Sequence, residues 1–129
     1  MTSLTTIIAV ASGGAIGATL RLLINSTVNK HFPHALPFGT LAVNLLGSLA
    51  IGMLFAYFHL NEHLSPHVKT FMITGILGAL TTYSTFAIES FFLLESGEYT
   101  HAFLNMALNV FGTILLAGIG YLLILNFTK

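Results

Sequence analysis

The feature that most constrains this chain is a succession of four apolar stretches, each long enough to cross a lipid bilayer as a helix. A bilayer core of about 30 Å requires about 20 mostly apolar residues in helical conformation. The stretches cover residues 4–28, 38–60, 69–94 and 99–127, and only short connections separate them. We therefore predict an all-α membrane protein with one four-helix transmembrane domain over residues 1–129.

The composition excludes a soluble fold and several classes of function. Hydrophobic residues make up 55% of the chain and charged residues only 6%, whereas soluble domains contain about 25% charged residues. The formal net charge of +0 provides no basic surface for nucleic acid. The sequence contains no Cys, no Asp and no phosphate-binding Gly-rich loop, so we expect neither a thiolate metal site nor an enzyme.

The orientation of a membrane protein is set by the excess of Lys and Arg in the loops on one side of the membrane. This chain has no such excess, so its basic residues give little information about its orientation. Four spans put Lys69 and Lys129 on one side of the membrane and Arg21 and Lys30 on the other. Either a small protein simply carries few charges, or copies insert in both orientations and pair antiparallel. The Gly-x-x-x-Gly spacing of Gly13–Gly17 favours close helix packing, within the chain or between copies.

The strongest polar signal lies in the third span, where residues 81–85 are all hydroxyl side chains and follow Gly75 and Gly78. Both Gly and β-branched Thr weaken a helix, and we predict that this helix is broken at mid-membrane. In an antiparallel dimer such a break lies near the two-fold axis, where freed backbone carbonyls of both copies suit a hard cation. The alternative is an unbroken helix whose hydroxyls bond back to the preceding turn.

Polar side chains in other spans are candidate pore residues, because polar groups at membrane depth are costly and tend to be functional. Asn44 is the only amide inside the second span, and it offers two N–H donors. In the fourth span Asn105, Asn109 and Thr113 recur every fourth residue on one helix face. This stripe fits a pore lining and hydrogen bonding between helices equally well.

Aromatic and charged residues of the spans also have more than one interpretation each. Tyr83 and Phe86 share one side of a helix, and their ring edges carry the partial positive charge that suits an anion; the alternative is core packing. Glu89 is a proton relay, a buried hydrogen-bonding carboxyl or an interfacial group. Arg21 either concentrates anions in a vestibule or extends to the lipid headgroups.

The chain resembles the Fluc (CrcB-type) family of bacterial fluoride channels almost from end to end. The motifs that carry this resemblance are Gly13-Gly14-x-x-Gly17-x-x-x-Arg21, Gly39-Thr-Leu-x-x-Asn44 and Gly78-x-Leu-Thr-Thr-Tyr83-Ser-Thr-Phe86. It implies a passive channel in the bacterial cytoplasmic (inner) membrane that exports F⁻ down its electrochemical gradient and protects against fluoride toxicity. The resemblance also implies an antiparallel, dual-topology dimer with two pores around a central structural Na⁺. The second subunit of this dimer is another copy of the chain or a paralogue.

The resemblance assigns roles by position. Asn44 matches the pore asparagine, and Phe86 matches the second residue of an aromatic box whose first position is usually Phe but is Tyr83 here. Gly78 and Thr81 match the positions whose backbone carbonyls hold Na⁺. Ser84 and Thr85 match a hydroxyl track beside the pore, and Glu89 matches a carboxylate near it. Asn109 matches a pore-facing position of the fourth helix, and Arg21 matches the vestibule arginine.

The alternative function is a proton-coupled exporter of the small multidrug type, which is also short, has four spans and often has dual topology. That mechanism requires a titratable carboxylate in the substrate chamber, characteristically in the first span. The first span of this chain contains neither Asp nor Glu. The sequence therefore favours the fluoride channel.

Overall fold

The computed structural model of the protein describes residues 3–129, and this part of the chain forms helices without any strand. Four helices are long and apolar enough to span a membrane: α1 (Leu4–His31), α2 (Phe38–Leu60), α3 (Pro66–Glu95) and α4 (Tyr99–Phe127). The prediction of an all-α, multi-pass membrane protein is confirmed. Residues 1 and 2 of the predicted domain lie outside the described residues.

Helix boundaries follow the local capping chemistry. The bounds of α2 and α4 agree with the predicted spans, whereas α1 continues past residue 28 to His31. Helix α3 begins earlier than the predicted residue 69 because Pro66 occupies its first turn, where a missing N–H costs nothing. The hydroxyl of Ser65 caps this end by accepting a hydrogen bond from the backbone N–H of His67.

Helix α3 is interrupted near its middle. Its segments are, in order, α-helical Pro66–Thr70, π-helical Phe71–Leu77, α-helical Gly78–Leu80 and α-helical Tyr83–Glu95. Between the last two the backbone is extended, with φ −81° and ψ 155° at Thr81 and φ −147° and ψ 115° at Thr82. The interruption falls within the predicted hydroxyl run. Its position at mid-membrane stays a prediction.

Glycines allow the helices to approach closely within one chain. Helix α1 packs along the first half of α3, and α2 packs along the second half of α4. A Cβ atom added to Gly13 would lie 3.0 Å from the Cα of Gly75. A Cβ atom added to Gly120 would lie 3.1 Å from the backbone nitrogen of Met53. Gly13 and Gly17 of α1 are therefore used for packing against α3 within the chain.

The buried core is small and lies between α2 and α3, where Val43 packs with Leu77 and Leu80. The outward faces of all four helices carry exposed large apolar side chains, for example Leu22 on α1, and α1 and α4 are the least buried helices. Such a surface suits contact with lipid and with other transmembrane helices.

Candidate functional site

A cavity of about 640 Å³ opens between α2, both halves of α3 and α4. The predicted site residues that line it are Asn44, Gly78, Thr81, Tyr83, Phe86 and Asn109. The structure thus brings together residues from three separate spans. Apolar side chains, among them Ile51 and Leu77, form the rest of its wall.

The amide of Asn44 is paired with the backbone at the interruption of α3. Its Oδ1 accepts a hydrogen bond of 2.8 Å from the N–H of Thr82, and its Nδ2 donates one of 3.1 Å to the carbonyl of Thr82. The second hydrogen of Nδ2 is donated to Oδ1 of Asn109 over 2.9 Å. Both N–H donors of Asn44 are therefore bound to protein acceptors.

The polar stripe of α4 is part of the same network. Asn109 donates to the carbonyl and to Oδ1 of Asn105 over 2.9 and 3.1 Å, and Asn105 donates to the hydroxyl of Ser90 over 2.9 Å. Ser90 in turn donates to the carbonyl of Phe86 over 2.8 Å. All these side chains are buried. Asn105 and Asn109 thus make the interhelical hydrogen bonds that were one of the two interpretations of the stripe.

The interruption frees several successive backbone carbonyls in α3, among them those of Gly78 and Thr81. In a continuous helix the N–H of Thr82 would bond to the carbonyl of Gly78, and the N–H of Thr85 to that of Thr81. Here Thr82 donates to Asn44 instead, and Thr85 donates to Oγ1 of Thr82 over 3.2 Å. The carbonyls of Gly78 and Thr81 lose these partners, and oxygen atoms of this kind are the ligands that a hard cation prefers.

The two aromatic residues of the site differ in environment. The ring of Phe86 is buried, at 7% exposure, whereas Tyr83 is 78% exposed. Their ring centroids are 5.4 Å apart with an angle of 74° between the planes, so one ring presents its edge to the other. Tyr83 therefore has an open face that a lipid or another chain can cover.

The remaining predicted site residues do not line the cavity. Ser84 is exposed, and Thr85 is half-buried and reaches the site through a hydrogen bond of 2.9 Å from Oγ1 of Thr82. Glu89 is half-buried and accepts a hydrogen bond of 2.5 Å from the hydroxyl of Thr40. Arg21 is half-buried on α1 and has no ion pair among residues 3–129.

Three polar residues at the site were missed by sequence reasoning. Thr40 is buried and binds Glu89, Ser48 lines the cavity, and Ser90 joins the network. Thr40 and Ser48 stand four residues on either side of Asn44, so they share its face of α2. That spacing is the signal that identifies them. Ser90 has no comparable periodic signal.

Comparisons with known proteins identify the family of the chain. The family model described as "CrcB-like protein, Camphor Resistance (CrcB)" matches residues 8–121. A relative from Sulfurimonas denitrificans named "Fluoride-specific ion channel FluC" is 56% identical over 119 residues, 92% of each chain. A relative of the same name from Campylobacter jejuni is 51% identical, over 93% of this chain and 98% of its own. Another from Nautilia profundicola is 46% identical, over 90% of this chain and 91% of its own. The protein belongs to the CrcB family.

Proposed function

We propose that the protein is a fluoride-selective channel through which F⁻ leaves the cytoplasm down its electrochemical gradient, which limits fluoride toxicity. The observation that carries this proposal is the high identity, over nearly the full length of both chains, to proteins named as fluoride-specific ion channels. The family motifs that Asn44, Tyr83 and Phe86 represent also meet at one cavity. An inner-membrane location is part of the same proposal.

The chemistry of the cavity suits a small anion. Fluoride is strongly hydrated, so a selective path must replace water with close hydrogen-bond donors. Ser48 and Tyr83, which both carry a hydroxyl group, line the cavity. The aromatic pair of Tyr83 and Phe86 supplies ring edges with partial positive charge. Arg21, which has no ion pair in the described part of the chain, raises the anion concentration at the vestibule. Ser84, Thr85, Asn109 and Glu89 are proposed to flank the path.

The volume of the cavity supports pairing with a second copy. One water molecule occupies about 30 Å³ in the liquid. A cavity of about 640 Å³ therefore has a much larger volume than one dehydrated anion of similar size to water. A second chain laid against the exposed face of Tyr83 would narrow it. We take this partner to be an antiparallel copy of the same chain, because the Lys and Arg residues divide equally between the two sides. Each copy then contributes to two pores.

A structural Na⁺ at the centre of that dimer fits the residues present. The carbonyls of Gly78 and Thr81 have lost their helical partners, and two copies would supply two such oxygens each. A bound cation contributes positive charge that lowers the cost of an anion inside hydrocarbon. In this proposal the side chains around the Na⁺ site orient the backbone carbonyls and exclude lipid from them.

The test is fluoride efflux from liposomes that contain only this purified protein. We expect fluoride release that requires a counter-ion path but no proton gradient, measured with a fluoride electrode against protein-free liposomes. Release that equals the protein-free control would contradict the channel. Flux that depends on a proton gradient and carries organic cations would favour the multidrug-type exporter instead.

A further inference from the structure

The side-chain amide of Asn44 hydrogen-bonds to the backbone of Thr82, so its N–H groups are not free donors. Because Thr82 is extended, its N–H and carbonyl point to the same side. Asn44 binds both groups, at 2.8 and 3.1 Å, as a neighbouring strand would do. The side chain thus closes two backbone hydrogen bonds that the interruption of α3 would otherwise leave open inside an apolar span.

The network beyond Asn44 fixes the direction of that amide. Asn44 donates to Asn109, Asn109 to Asn105, Asn105 to Ser90, and Ser90 to the carbonyl of Phe86. Every donor in this series points the same way. With the N–H of Thr82, which donates to Asn44, the series begins on α3, and it ends on α3 at the carbonyl of Phe86. Rotation of the Asn44 amide would put its N–H groups against the N–H of Thr82 and leave Asn109 without a donor.

We propose that Asn44 is a positioning residue, which acts on the ion path through the backbone of Thr82 and not by donating to the permeating ion. It keeps Thr82 extended, and this in turn keeps the carbonyls of Gly78 and Thr81 free of helical partners. Asn109 and Asn105 orient the Asn44 amide. This inference rests on the proposed function and deepens it, since it assigns the ion-facing contacts to hydroxyls and ring edges.

The first test reads the backbone of Thr82 without any fluoride present. Amide hydrogen exchange is followed by NMR on ¹⁵N-labelled protein in lipid nanodiscs. Asn44→Ala should speed exchange of the Thr82 N–H by at least about tenfold, because its acceptor is removed. Ser48→Ala is the matched control: it alters the same face of α2 and the same cavity, and it should leave Thr82 exchange unchanged.

A second variant separates positioning from direct contact. Asn109 makes no hydrogen bond to Thr82, yet Asn109→Ala should also speed Thr82 exchange, since it releases the Asn44 amide. The double variant should exchange no faster than Asn44→Ala alone. Wild-type exchange of Thr82 in Asn44→Ala, together with abolished fluoride efflux, would overturn the proposal and make Asn44 a direct ligand.

The third measurement uses the unaltered protein and needs no variant to fold. The Asn44 side-chain amide signals are compared in sodium fluoride and sodium chloride at equal ionic strength, and we expect no difference. A fluoride-dependent shift or a coupling to ¹⁹F at Nδ2 of Asn44 would overturn the proposal. Efflux from liposomes made with the same preparation tests the proposed function separately, because Thr82 exchange is read without fluoride.

Discussion

Tyr83 stands where the family resemblance leads us to expect Phe, and its ring is the more open one of the aromatic pair. Phe86 is buried, whereas Tyr83 is 78% exposed and meets Phe86 edge to face. If the pair works through polarised ring edges, the hydroxyl of Tyr83 is dispensable and the ring is not. If the hydroxyl donates to the ion, it contributes about 1.5–3 kcal/mol, as hydrogen bonds to charged groups do.

The first prediction distinguishes these two roles at position 83. Tyr83→Phe should retain fluoride efflux because it keeps the ring, while Tyr83→Ile should reduce it strongly because it keeps apolar bulk but loses the edge. Flux is measured in liposomes and normalised to folded protein. A loss of tenfold or more in Tyr83→Phe would assign the hydroxyl to the ion, since about 1.4 kcal/mol corresponds to a factor of ten. Full activity in Tyr83→Ile would contradict any role of the ring.

Residue type and depth in the span could be predicted from the sequence, but hydrogen-bond partners could not. Asn44 stands out as the only amide of its span, and its place at the cavity follows from that. Its partner Thr82 is 38 positions away. The pairing depends on the register of α2 against α3, which several hydrophobic faces decide together. The sequence therefore suggested two free donors where the structure has two occupied ones.

At the scale of elements, the interruption of α3 shapes the site, whereas α1 packs along the first half of α3 and contributes no residue to the cavity. The hydroxyl run and its preceding glycines predicted an interruption because their local propensities are weak. The π-helical segments Phe71–Leu77 and Leu108–Gly112 were not predicted. A π-helical turn accommodates tertiary packing and has no hydrophobic period of its own, so local pattern does not reveal it.

The second prediction concerns the crossing of α1 and α3. Gly13→Ala should destabilise the fold by about 1–3 kcal/mol, because its Cβ would lie 3.0 Å from the Cα of Gly75 and closer still to the carbonyl of Phe71. Gly14→Ala is the matched control, since a Cβ there meets nothing within 4 Å. Unfolding in detergent is followed by circular dichroism for both variants.

The comparison of these neighbours removes the general effect of replacing glycine in a helix. Alanine favours a helix by up to about 1 kcal/mol over glycine, so Gly14→Ala should be neutral or slightly stabilising. Equal stability of the two variants would show that α1 does not approach α3 as closely as the structure has it.

At the scale of the whole molecule, the open cavity and the apolar outer faces fit the two-chain assembly that we propose. The third prediction concerns selectivity of that assembly. Fluoride flux should exceed chloride flux by at least about a hundredfold, which corresponds to about 2.8 kcal/mol between the two ions. We expect this because a second chain would narrow the cavity, and the larger chloride ion would then keep fewer close donors than fluoride. Both fluxes are measured with ion-selective electrodes on the same liposomes, and comparable rates would contradict a fluoride-selective path.

The fourth prediction concerns orientation. Because Lys69 and Lys129 oppose Arg21 and Lys30, reporters fused to the C-terminus should be found on both faces of the membrane. Three Lys residues added after Lys129 should retain that end in the cytoplasm and so bias insertion. If the working unit is an antiparallel pair, this variant alone should lose most of its fluoride efflux in cells.

A second biased variant makes this test reciprocal. Lys residues introduced between Lys30 and Pro37 should favour the opposite orientation, and this variant alone should also be weakly active. Expressed together, the two should restore efflux, because each supplies the orientation that the other lacks. Asp residues added after Lys129 form the control, since acidic residues contribute little to orientation. Full efflux from the first biased variant by itself would contradict the antiparallel pair, because a population inserted one way contains no partner of the opposite orientation.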